Sequence, residues 1–334
     1  MMDWESERKE ISMKTFTGNT RKEELEKITV CYRRLLYLSI ALIVLVAAAL
    51  ITALIKAMLP SVIFLASMLL LRVTLYRKAR NEYDQTVAEA VLTCAAGSKL
   101  DEFELSRKGG TGITSEDVLA AELYPVRDDA RQSIGFYQGI SGTSRGIVVS
   151  LNDTTLAQYQ HAGRKGAAVA CGVWMHFALP KDTGQDLRIL SKEFLPDDLR
   201  KEFFGSSLGL TRRDPGECAL DETFFIYESK VSRGNDSDSG DDAAGDTCAV
   251  SVKDAGTRPD FRSLPPSFIS SVNSLSRKYA KSLAISLRGD VMDLFFKERV
   301  LAPNYRLNGK PDEKILRFDP IPEFKDALNL AKKL

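Results

Sequence analysis

The sequence predicts an α+β protein: a two-helix transmembrane hairpin followed by a soluble domain in which an antiparallel sheet packs with helices. Three observations predict it. Two apolar runs lie between Leu35 and Tyr76, a period-two pattern begins near Ser133, and helical patterns flank that pattern on both sides.

The first run, LLYLSIALIVLVAAALITALI from Leu35, is about 21 residues without a charge, long enough at about 1.5 Å per residue to cross a hydrocarbon core. A buried soluble hairpin would show a polar face, and a signal peptide would have a shorter apolar core nearer the start. After Lys56 and Pro60 the second run, SVIFLASMLLLRVTLY, carries Arg72 near its end, where a long side chain can snorkel toward headgroups. Spans of about 35–57 and 60–77 follow within a 31–80 hairpin, so the lipid bilayer is the expected partner of residues 35–77. Lys22, Lys27, Arg33 and Arg34 precede the hairpin and Arg77, Lys78 and Arg80 follow it, against Lys56 alone in the connection. Basic flanks collect on the cytoplasmic side, so both termini are expected there, in a bacterial inner membrane.

Residues 1–30 read as a polar, mixed-charge tail with helix from Arg21 to Ile28. RKARNEYDQTVAEAVLTCAAG places Tyr83, Val87, Ala90, Val91 and Cys94 on one stripe and stops at Gly97, an amphipathic helix continuing the second span. TSEDVLAAEL predicts a short helix with Thr114 or Ser115 as N-cap. SIGFYQGI, RGIVVSL, AAVACGVWMHFAL, QDLRILSKEF and ETFFIYESKV then read as strands. The stretch at about 232–259 lacks large apolar residues at its start, SRGNDSDSGDDAAGD, and reads as a disordered acidic loop. Pro265 and Pro266 open a helix, KSLAISLRGDVMDLFF forms two strands turning near Gly289–Asp290, and a last helix runs from about Pro322 to Leu334. The soluble domain is thus 81–334.

Composition excludes several functions. The net charge of +1 gives no sign of nucleic-acid binding. Cys31, Cys94, Cys171, Cys218 and Cys248 are odd in number and never paired as C-x-x-C, which argues against a disulfide framework or zinc knuckle and fits a reducing compartment. With only His161 and His176, a histidine-rich metal centre is nearly excluded.

The remaining motifs are read as structure. RKGGTGITSED, from Arg107 to Asp117, is similar to a deviant phosphate loop but has Ile113 where a phosphate-binding lysine would stand, so it is expected to be a glycine turn capped by Thr114 and Ser115. Cys171 and His176, five apart on one strand, point to opposite faces; Cys171 is expected in the core and His176 at the surface. His161 is expected in a solvated turn. NDSDSGDDAAGD lacks the spacing and closing glutamate of a calcium loop. Arg212, Arg213 and Asp214 are expected to form a local surface ion pair. No catalytic, cofactor-binding or metal residue is assigned, and no cofactor.

From Arg77 to Phe296 the order of segments resembles the bacterial domain-of-unknown-function family 3137. The carriers are YRKARNEYDQTV, GGTGITSEDVLAAELYP, GFYQGISGTSRGIVVSL, GVWMHFALPKD, RRDPGECALDETFFIYES and LPPSFISSVNSLSRKYAKSLAISLRGDVMDLFF. The chain departs from the family in the length of its acidic insertion and in His176. The resemblance implies a membrane-anchored protein of uncharacterised activity, supplies no catalytic residues, and implies a LemA-type membrane protein as partner. The expected function is a membrane-tethered cytoplasmic binding or scaffold domain, non-enzymatic. The alternatives are a membrane-associated hydrolase using Cys171 or His176, and an oligomeric membrane protein assembled through the hairpin around Arg72.

Overall fold

The computed structural model describes residues 14–15, 20–55, 58–106, 111–126, 133–157, 169–213, 220, 223–228, 264–279, 282–301 and 311–334. The tail before Lys14, His161, Asp214, Cys218, Cys248 and the acidic loop at 232–259 lie outside them. The chain is α+β, with antiparallel pairing between its described strands and an N-terminal helix of membrane-like composition. It divides into two compact units.

The first unit takes residues 1–113, 135–154 and 299–325. Its helix α1 (Thr20–Leu54) and helix α2 (Met58–Leu71) lie against each other. On α1 the covered positions include Leu35, Leu38, Leu42, Leu45, Ala49 and Thr52, a three-four alternation that keeps one seam along the helix. Ala49 is small enough there for the Ser61 hydroxyl to reach its carbonyl at 3.2 Å. From Leu35 onward the outer sides of these helices are mostly apolar and exposed: Tyr37, Ile43, Leu50, Val62, Leu65 and Leu69 are among many such residues. Helix α2 runs through a π-turn, Arg72–Tyr76, into α3 (Arg77–Gly97), which ends at the expected glycine. The stripe expected on α3 is buried, with Tyr83, Val87, Ala90, Val91 and Cys94 packed on Ile28 and Leu35 of α1 and on Leu316.

Four strands complete this unit in the order β1-β2-β3-β4: β1 (Lys14–Thr15), β2 (Glu102–Ser106), β3 (Ile134–Ser144) and β4 (Ile147–Ala157). β1 and β2 were not expected. DEFELS hides its strand because Phe103 alone of its residues is fully buried. β3 runs four residues past the expected SIGFYQGI, and its turn into β4 is Arg145–Gly146, both with positive φ (52° and 83°) as a two-residue hairpin needs.

The second unit takes residues 114–134, 155–298 and 326–334. Helix α4 (Ser115–Ala121) begins with the capping box of Thr114 and Asp117. Strands β5 (Val169–Ala178), β6 (Asp186–Ser191), β7 (Thr211–Arg213), β8 (Phe224–Glu228), β9 (Leu283–Arg288) and β10 (Val291–Lys297) are ordered β5-β10-β9-β6-β8-β7. Helices α5 (Asp197–Arg200), α6 (Pro266–Tyr279) and α7 (Pro322–Ala331) follow the chain, α7 passing from one unit to the other at Lys325. Met175, Phe177, Ile285, Leu287, Leu294 and Phe296 share one sheet face by register, and Tyr279 of α6 meets Phe296 edge-on at 5.3 Å. Across β5, β10 and β9 that face is apolar, and a row of polar groups lies on the other.

Candidate functional site

A single row of polar side chains crosses the sheet of the second unit. Register sets His176 opposite Asp293, Asp293 opposite Ser286, Ser286 opposite Arg188 and Arg188 opposite Tyr227, and directly opposed residues share a face. Asp293, within VMDLFFK, and Arg188, within DLRILS, each stand between apolar neighbours in their strands. A buried charge in such a strand requires partners, and both have them.

Asp293 is completely buried. Its Oδ1 accepts from Trp174 Nε1 at 3.1 Å and from His176 Nδ1 at 2.8 Å, while Oδ2 accepts from the Arg288 guanidinium at 2.9 Å. Three donors on one carboxylate compensate its loss of water. Burial would lower the pKa of His176, but the hydrogen bond and charge of Asp293, together with Asp117, outweigh both burial and the opposing Arg288, and the imidazole is raised above 6.5. Asp117 is placed by α4. Burial would raise its carboxyl, but hydrogen bonds from the Thr114 hydroxyl and backbone N–H, each 2.7 Å, and the charges of His176 and Arg288 hold it below its ordinary value.

The C-terminal end of α4 anchors the other half of the row. Glu122 turns into the left-handed region (φ 52°) and its carboxylate takes Arg188 at 2.8 Å, while Asp186 takes the other end of the same guanidinium. Next to the row, Trp174, Phe295, Phe194 and Tyr124 form an aromatic cluster with centroids 5.4–6.3 Å apart. The wholly buried hydroxyl of Ser286 has no hydrogen-bond partner among the described residues.

Chemically, the row orients the imidazole of His176 through Nδ1, and with the proton on that nitrogen the neutral ring would present Nε2 as the nitrogen of a base. Ser286 stands beyond Asp293 from His176. Two interstrand steps of about 4.8 Å separate them, so that serine is not the imidazole's partner.

Several expectations change here. His176 is not a surface residue: its side chain is 17% exposed and ion-paired. Cys171, expected in the core, is exposed, although the two do lie on opposite faces of β5 as expected. Arg212 lies with its guanidinium 4.8 Å over the Phe225 ring. Sequence reasoning missed Asp293, Arg188 and Arg288; for Asp293 and Arg188 the signal was a charge between two apolar neighbours in a strand.

The glycine string is a packed turn where described. The Thr111 N–H donates to Oδ1 of the fully buried Asn152 at 2.9 Å, and a Cβ on Gly112, at φ 63°, would stand 2.2 Å from the Ser150 hydroxyl. Among the described residues no group of His, Cys, Asp or Glu could hold a metal ion.

The first unit contains a cavity of about 860 Å³. Glu23, Glu24, Glu26 and Glu89 line it, together with Val30 and Leu105. Lys27 contributes the one cation among its lining residues and pairs with Glu24 at 2.6 Å. No family model, curated protein or solved structure matches the chain.

Proposed function

We propose that the chain is a membrane-tethered cytoplasmic binding or scaffold protein, inserted through α1 and α2 as a hairpin. The observation that carries this reading is an exposed apolar surface: α1 and the continuous helix that runs from Leu59 through the π-turn to Gly97 are long and apolar enough to cross a membrane, and large exposed apolar side chains cover their outer faces between Leu36 and Leu75. Water is a poor solvent for such a surface, and a bilayer is the fitting one. Basic residues at both outer ends favour a cytoplasmic location for the two termini. The unbroken helix from α2 into α3 then joins bilayer to soluble domain without a flexible linker.

The glutamate-lined cavity supports the binding role, since four carboxylates against one lysine in its lining fit a basic segment of a partner protein. A LemA-type membrane protein is the first partner to seek. Affinity capture of the full chain from mild detergent should recover the same protein repeatedly, and Glu26→Lys with Glu89→Lys should abolish its recovery. Absence of any reproducible partner contradicts the reading.

A second reading, a membrane-associated hydrolase, draws on the His176–Asp293 pair. It predicts that the purified native chain hydrolyses a chromogenic ester and that His176→Gln does not. Equal hydrolysis by both, or by neither, removes it.

A further inference from the structure

We infer that the π-turn at Arg72–Tyr76 builds a binding site for one anionic phospholipid, whose phosphate is held by Arg72 and Arg77 in a groove that Arg80 also lines. The inference rests on the membrane reading above.

In an α-helix, residues five apart lie about 140° apart around the axis, so Arg72 and Arg77 would face different directions. The π-turn changes this. The Arg77 N–H bonds to the Arg72 carbonyl, an i to i+5 bond that stacks the two residues on one side, and Arg80 follows three residues later on the same side. The three arginines line one groove of about 380 Å³ with Leu69, Val73 and Tyr76. Its two ends differ in chemistry: Leu69 and Val73 belong to the apolar span, whereas Arg77 and Arg80 belong to the basic flank. Asn81 adds a neutral hydrogen-bonding group at the basic end.

A second groove, of about 430 Å³, shares Arg72 and Tyr76 and is otherwise lined by apolar residues such as Leu42, Val46 and Met68, with Ser39. Two tracks meeting at one guanidinium fit a molecule with two acyl chains and one phosphate. Charge selects the headgroup. Arg72 and Arg77 are exposed and make no ion pair among the described residues, whereas Arg80 is engaged by Asp84 at 3.1 Å and Arg34 by Glu82 at 3.0 Å. Two guanidiniums therefore remain to take a phosphate diester in bidentate fashion. A zwitterionic lipid brings its own cation to the same place and is disfavoured.

The test is native mass spectrometry of the full chain released from nanodiscs of phosphatidylcholine containing phosphatidylglycerol. The native chain should retain phosphatidylglycerol at least about tenfold above its share of the disc, a difference of about 1.4 kcal/mol. Arg72→Gln with Arg77→Gln should abolish the enrichment, and Arg33→Gln with Lys78→Gln, which removes equal charge outside the groove, should preserve it. Equal loss in both pairs reduces the effect to net charge and overturns the site. So does a native chain that enters the disc but retains phosphatidylglycerol only at its share. A chain that never enters the disc overturns the membrane reading and the site with it.

Discussion

Asp293 accepts a 2.8 Å hydrogen bond from Nδ1 of His176 across the β5–β10 ladder while no part of its side chain reaches solvent. Asp293→Ala would leave Arg288 and His176 facing a buried gap, and removal of one member of a buried charged set costs about 3–5 kcal/mol. Denaturant unfolding of the full chain in detergent should show the loss. The pH dependence has a definite sign. Because the folded value of His176 is raised, its contribution is complete below the unfolded value of about 6.5 and disappears as pH rises through the folded value. In a His161→Gln background His176 is the single histidine, and its NMR titration should lie above 6.5 and drop on Asp293→Asn. A titration at or below 6.5 with Asp293 intact contradicts the pairing.

Asp153 gives the opposite slope. Burial pushes its carboxyl up to about 6, opposed by the Leu301 N–H that donates to it at 2.6 Å. The folded state therefore binds the proton more tightly than the unfolded chain, and stability falls as pH rises from about 3.9 to about 6. The gap corresponds to about 3 kcal/mol. Asp153→Asn keeps an acceptor for Leu301 and removes the charge, so it should stabilise the chain at pH 7.5 and have little effect at pH 3.5. An equal effect at both pH values contradicts the assignment.

Gly139 and Asn152 are coupled by contact. A Cβ at Gly139 would stand 2.1 Å from the Asn152 side-chain oxygen and 2.9 Å from the Thr111 nitrogen. Gly139→Ala should cost about 1–3 kcal/mol by overpacking. Asn152→Ala frees Thr111 of its acceptor and opens the space, so the double variant should lose less than the sum of the single losses, measured by a double-mutant cycle in unfolding. Strict additivity would mean that the turn does not rest on Asn152.

The parts of this fold legible in the sequence are those fixed by local pattern. The Leu35–Ile55 run, the Thr114 cap, the α3 stripe ending at Gly97 and the β9–β10 turn at Gly289–Asp290 all depend on neighbours within a few residues. The polar row was not legible because its members meet only through register: His176 and Asp293 lie 117 positions apart, and Arg188 reaches Glu122 across 66. No local pattern reports which strands become neighbours. The π-turn was hidden for a related reason, since RVTLYRKAR reads as uninterrupted helix and one i to i+5 bond leaves no mark on composition.

The central claim, a cytoplasmic domain carried by a membrane hairpin, is tested most directly at Cys171, which is exposed on β5. In a chain with Cys31, Cys94, Cys218 and Cys248 changed to serine, a membrane-impermeant maleimide should leave intact expressing cells unlabelled at Cys171. The same reagent should label it in inside-out membrane vesicles. Labelling of Cys171 in intact cells would contradict the account.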